Sequence, residues 1–125
     1  MRLETEIYMQ VTDKDLEQHR QRFQKCRKAL HALGNESRQE RCMILMMNSN
    51  GLRVADLVQE ANLSRSVVSH HMKVLIEAGI VKTRKEGTYI YYYLEMDNVV
   101  TDQLIAYLQS VKNILRNLPD RSGEG

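Results

Sequence analysis

Residues 54–79, VADLVQEANLSRSVVSHHMKVLIEAG, divide into two short helical stretches separated by a polar break. At about 100° per residue, Arg65, Ser66, Ser69, His70, Lys73 and Glu77 of the second stretch share an arc of about 140°. Val68, His71, Met72, Leu75 and Ala78 fall on the other side. A helix with an apolar face to bury and a small, basic, hydrogen-bonding face to present suits the DNA major groove. The stretch therefore predicts a helix-turn-helix over 53–79.

The local punctuation agrees with that reading. Ser64 stands where its hydroxyl can accept a bond from an otherwise unpaired N–H of the second helix. Val67 leaves the reciprocal half of a capping box empty. Gly79 follows the last periodic residue, where a left-handed conformation ends a helix at low steric cost. The first helix covers Val54–Ala61, with Leu57, Val58 and Ala61 inward, and Asn62 opens the turn.

Beyond Gly79 the period changes. IVKTRKEGTYIYYYLEMD holds two short strands rich in Val, Thr and Tyr, Lys82–Arg84 and Tyr89–Leu94, with Lys85, Glu86 and Gly87 as the turn between them. A hairpin directly behind a recognition-type helix is a wing, here spanning 80–94. Its tip would carry Lys82, Arg84 and Lys85 against Glu86, a balance that suits a phosphate backbone or a minor groove.

The run LSRSVVSHHMKVLIEAGIVKTRKEGTYIYYYL resembles the winged-helix core of the ArsR/SmtB repressors, and the likeness begins earlier, at ALGNESRQERCMIL. It spans Ala32 to Leu94 and, more loosely, the flanking helices. Its motifs are S-x-S-x-V-S-x-H-x-K-x-L, then E-A-G-I-V and a K-E-G wing tip. The resemblance implies a mainly α fold with a small β-hairpin, dimerised through its N- and C-terminal helices. It also implies binding of an operator in double-stranded DNA.

With 125 residues, 27% charged and 42% hydrophobic, the chain has the composition of an ordinary soluble globular domain. One winged-helix domain is expected over 13–118, with an arm at 1–12 and a disordered tail at 119–125. Cys42–Met47 is the longest apolar run, far short of a membrane span. The start MRLETEIYMQ lacks the apolar block of a signal peptide, so the cytoplasm is expected. A net charge of +2 does not by itself argue for nucleic acid. Its distribution does: residues 63–88 hold five Lys/Arg against two acids, and residues 89–125 hold three against five. The earlier cluster Arg20, Arg22, Lys25, Arg27 and Lys28 reads as a solvated helix face, with contact to the DNA backbone as the alternative.

Residues 3–11 fit an alternating strand and a helix equally well. Thr12 caps a helix to about Leu33 with Leu16, Phe23, Cys26, Leu30 and Leu33 inward, and Asp13 and Asp15 enrich its first turn. Gly34 and Asn35 break the chain before a helix from about Glu36 to Asn48 that buries Cys42, Ile44, Leu45 and Met46. Asp97–Leu118 forms a long helix whose Val100, Leu104, Leu108, Val111, Leu115 and Leu118 make a stripe too long for one small domain to cover. The resemblance pairs this helix with the first one across a two-fold axis. A homodimer would then set two recognition helices about 34 to 36 Å apart on an inverted-repeat operator.

The signal is harder to read. Members of the resembled family that sense soft metals carry Cys-x-Cys where this chain has Arg53 and Ala55. Others use histidines on the terminal helix, which has none here. His70 and His71 are adjacent, about 100° apart on a helix, and cannot chelate one ion from the same side. His71 reads as a hydrogen-bonded core histidine. No metal and no cofactor are expected. Cys26 and Cys42 could form a redox dithiol if they come within disulfide range, or pack as small apolar side chains. The tyrosines of Tyr89–Leu94 are read as strand packing, though an aromatic strand can also stack on bases. No phosphate loop or nucleophile motif suggests an enzyme. The expected function is a dimeric repressor that contacts DNA through Arg65, Ser66, Ser69, His70, Lys73, Lys82, Arg84 and Lys85. The alternatives are a dithiol redox regulator and a winged-helix protein-interaction module. The inducer, the operator and the sign of regulation stay open.

Overall fold

The computed structural model describes residues 11–123. The expected arm at 1–12 therefore lies almost wholly outside the described residues. Five helices and one hairpin follow in the order α1 (Asp13–Leu33), α2 (Glu36–Met47), α3 (Val54–Ala61), α4 (Arg65–Glu77), β1 (Val81–Glu86), β2 (Tyr89–Leu94) and α5 (Asn98–Arg116). The chain divides into two compact units, Arg27–Thr101 and Met1–Cys26 with Asp102–Gly125.

In the winged unit α2 and α4 start where a short polar side chain satisfies a free amide. Asn35 accepts from the Arg38 amide at 2.9 Å and starts α2. Ser64 accepts from the Val67 amide at 3.2 Å and starts α4. Between α3 and α4, Asn62 takes a left-handed conformation (φ 51°), which asparagine tolerates better than most residues. The core is assembled from Leu45 of α2, Leu57 of α3, Val68, Met72 and Leu75 of α4, and Ile80 and Val81 at the entry to the wing. Met46, expected inside, is exposed. Arg38 and Arg41 of the same helix are buried with Cys42 and Leu45. Arg38 donates to the carbonyls of Ala32 (2.8 Å) and His31 (3.0 Å) at the end of α1.

The hairpin is antiparallel from Val81 opposite Leu94 to Glu86 opposite Tyr89. Its turn is Gly87-Thr88 rather than Lys85, Glu86 and Gly87. Gly87, at φ 62°, supplies the positive torsion that a two-residue hairpin needs at its first position. Lys85 and Glu86 thereby become strand residues. Leu52 and Tyr92 exchange backbone bonds at 2.9 and 2.8 Å, which adds a bridge from the loop before α3.

At the end of α4, Gly79 has φ 76°, and a methyl group there would lie 2.9 Å from Val100 Cγ2 and 3.2 Å from Asp97 Oδ2. The Asp97 amide donates to the Gly79 carbonyl at 3.0 Å, and the Glu95 amide to that of Ile80 at 3.1 Å. Torsion and space both require glycine at this joint.

The helical unit is built from the first turns of α1 and most of α5. Thr12 and Asp15 form a reciprocal cap, with the Asp15 amide donating to Thr12 Oγ1 (3.0 Å) and the Thr12 amide to Asp15 Oδ2 (3.1 Å). His19 Nδ1 and Ser110 Oγ share a hydrogen bond, and the His19 ring stacks on Tyr107 with centroids 5.3 Å apart. Cys26 is buried as expected, but Leu16 and Phe23 are exposed. On α5 the apolar arc is wider than its neighbours cover, leaving Ile105, Leu108 and Leu115 at 58%, 60% and 52% exposure. No described helix is long and apolar enough to cross a membrane.

Candidate nucleic-acid interface

Helix α4 sorts its side chains as the wheel predicts. Val68, His71, Met72 and Leu75 are buried, while Arg65, Ser66, Ser69, His70 and Lys73 are exposed. Ser66 is also held by a 3.2 Å hydrogen bond to the capping Ser64 hydroxyl, which fixes the first turn where a groove-reading helix begins. Among the described residues, neither Arg65 nor Lys73 makes an ion pair. Both cations are therefore available to an external anion.

The wing is different. Lys82 lies at its foot rather than its tip, with Nζ 2.9 Å from Asp97 Oδ1 and 3.3 Å from Glu95 Oε2. The hydrogen bond to Asp97, and then that to Glu95, push its ammonium pKa up. Arg84 donates to Glu86 at 2.9 Å and to the Asn50 carbonyl at 2.9 Å, and its guanidinium sits 5.1 Å over the Tyr91 ring. Of the three expected wing cations, Lys85 alone makes no ion pair among the described residues.

His71 is buried under α4, as its position predicts, but it is not the hydrogen-bonded histidine expected. Its Nδ1 has no partner among the described residues, and neither does Nε of the buried Arg41. Burial pushes the His71 pKa down, and the nearby charges of Arg38, His70 and Arg41 add to this, so the ring is kept neutral beneath the helix. Sequence periodicity had no means of finding these buried arginines. Arg38 is recruited by carbonyls at the end of α1, six and seven residues before it.

Cys26 and Cys42 are both buried free thiols. The Cys26 thiol donates to the Arg22 carbonyl at 3.3 Å. Burial pushes both thiol pKa values up, which suppresses the thiolate that reacts with oxidants. Among the described residues, no three His, Cys, Asp or Glu side chains gather as a metal site. Arg53 and Ala55 stand at the start of α3, and neither side chain is a soft-metal ligand.

An exposed basic helix face, seated on a three-helix core and followed by a hairpin, defines a winged helix-turn-helix of the DNA-binding class. Comparison with known proteins agrees. Residues 38–83 match the family model described as bacterial regulatory protein, arsR family. The chain is 36% identical over 81 residues to the uncharacterized HTH-type transcriptional regulator MJ1325 of Methanocaldococcus jannaschii, covering 63% of this chain and 88% of that one. The crystal structure of the transcriptional regulator HlyU from Vibrio vulnificus CMCP6 is similar with a TM-score of 0.52 and 33% identity, over 75% of this chain and 96% of that one. An ArsR family regulator, RHA00566, shares the fold with a TM-score of 0.60 at 17% identity, over 72% and 89% of the two chains. The chain belongs to the arsR family of bacterial regulatory proteins, and it is a DNA-binding transcriptional regulator rather than an enzyme.

Proposed function

We propose that this regulator is a homodimeric repressor that binds an inverted-repeat operator and is released by an inducer. The exposed, unpaired cationic edge of α4 carries this reading, since Val68, His71, Met72 and Leu75 opposite it are committed to the core. Arg65, Ser66, Ser69, His70 and Lys73 enter the major groove, and Arg65 is the guanine reader because a guanidinium can bond O6 and N7 together. Lys85 meets the phosphate backbone from the wing. Lys82 and Arg84, read from sequence as backbone contacts, act chiefly to brace the wing from within.

Dimerisation rests on α5. Three large apolar side chains left in water along one helix are costly unless a second copy covers them. The names of matching relatives point both ways on the sign of regulation, to a putative arsenical resistance operon repressor of Halobacterium salinarum and to the transcriptional activator HlyU of Vibrio cholerae, and we take the former. Selecting bound duplexes from a random pool should return an inverted repeat with half-site centres about 34 to 36 Å apart. Arg65→Ala should then lower operator affinity by about ten- to a hundredfold at fixed salt and relax one base position. An unchanged affinity for both Arg65→Ala and Lys73→Ala would falsify the assignment of the face.

A further inference from the structure

A cavity of about 350 Å³ opens beside α4, between the start of α3 and the start of β2. Arg53 and Arg65 stand on it from two different elements, and the exposed Tyr89 and Ile90 form its apolar side. The Arg53 guanidinium lies 4.8 Å over the Tyr89 ring. Stacking engages the flat face of a guanidinium and leaves its N–H edges free to donate. The nearest carboxylate, Asp56, is 3.6 Å away, and its Oδ2 already accepts the Arg53 backbone amide at 3.0 Å. A pair at that distance between partly exposed side chains holds the cation only weakly.

We propose that this cavity seats one phosphate of the DNA backbone, held by Arg53, with its deoxyribose against Tyr89 and Arg65 on the adjoining wall left to face the groove. The proposal rests on the reading of α4 as the groove-facing helix. Arg65 lies on that helix, so a phosphate beside it belongs to the strand that α4 flanks. The site gives the hairpin a part in binding beyond that of Lys85, although Lys82 and Arg84 are already paired. The wing supplies an aromatic platform that aims a cation from α3. Because phosphates carry no sequence information, Arg53 strengthens binding to every duplex alike.

Fluorescence anisotropy on the selected operator and on an unrelated duplex, repeated over a series of KCl concentrations, tests this. Arg53→Ala should weaken both by about three- to tenfold and lower the slope of log K against log[KCl] by about 0.9. Arg53→Lys should restore the slope but not the full affinity, because an ammonium lacks the planar face that rests on Tyr89. Thermal melting shows whether α3 is intact in each variant. If it is not, ethylation interference on the wild-type complex gives the same answer through a protected phosphate flanking each half-site. An unaltered slope in a folded Arg53→Ala protein, or no protected phosphate at that place, overturns the clamp. So does a loss confined to one sequence, which would make Arg53 a base reader. If Arg65→Ala weakens binding and Arg53→Ala does not, the clamp alone fails. If neither matters, the DNA-facing assignment of α4 fails with it.

Discussion

Helices α4 and α5 are both amphipathic, yet the first has its apolar face sealed and the second does not. Val68, Met72 and Leu75 of α4 have essentially no contact with solvent, whereas Leu108 of α5 is more exposed than buried. The same contrast runs through the charges. Lys82, Arg84 and Arg38 of the winged unit are engaged by carboxylates or carbonyls, while Arg65 and Lys73 are left for something outside the chain. What a fold satisfies internally reports on its architecture, and what it leaves unsatisfied reports on its partners.

The largest expected difference is in packing. Leu75→Ala should cost about 2–5 kcal/mol in urea unfolding, because it opens a cavity in a sealed core. Leu108→Ala in dilute, dissociated protein should cost less than about 0.5 kcal/mol. In return, the wild-type unfolding midpoint should rise with protein concentration and that of Leu108→Lys should not, since only a dimer couples stability to mass action. Equal costs for the two alanine variants would erase the distinction between the faces.

His71 probes the seal under α4 more finely. Its folded pKa is depressed, so below the ordinary value of 6.5 the unfolded chain binds the proton first. Stability is therefore full above about pH 6.5 and falls as pH drops toward the lowered folded value, by up to about 1.4 kcal/mol per pH unit in that window. His71→Leu should lack this component of the acid sensitivity. A parallel pH dependence in both proteins would mean that the ring is already solvated.

The smallest effect separates paired from unpaired wing cations. Lys85→Ala should weaken operator binding about two- to fivefold and flatten the salt dependence, as loss of one phosphate contact does. Lys82→Ala should leave the salt slope unchanged, since its charge is already matched by Asp97 and Glu95.

Much of the fold was legible because its signals are local. Ser64, Gly79 and the four- and three-residue spacing of Val68, Met72 and Leu75 act within one or two turns, and the observed α4 follows them. What escaped depends on contacts remote in the chain. Nothing near Lys82 announces that Asp97, fifteen residues on, will pair with it; that pairing follows from the hairpin register. The burial of Arg38 and Arg41 has no local signal, because it is set by carbonyls and helices outside their own segment. The turn was misplaced by one residue at its end because the positive torsion falls on Gly87 in the first loop position, which makes Thr88 rather than Glu86 its companion.

The Gly79 joint has a mechanical corollary. With no room for a side chain, and with backbone bonds from Asp97 and Glu95 fastening it, the exit of α4, the root of the hairpin and the opening turn of α5 behave as a welded corner rather than a hinge. A tilt imposed on that opening turn must either rip those amides loose or swing α4 along with it.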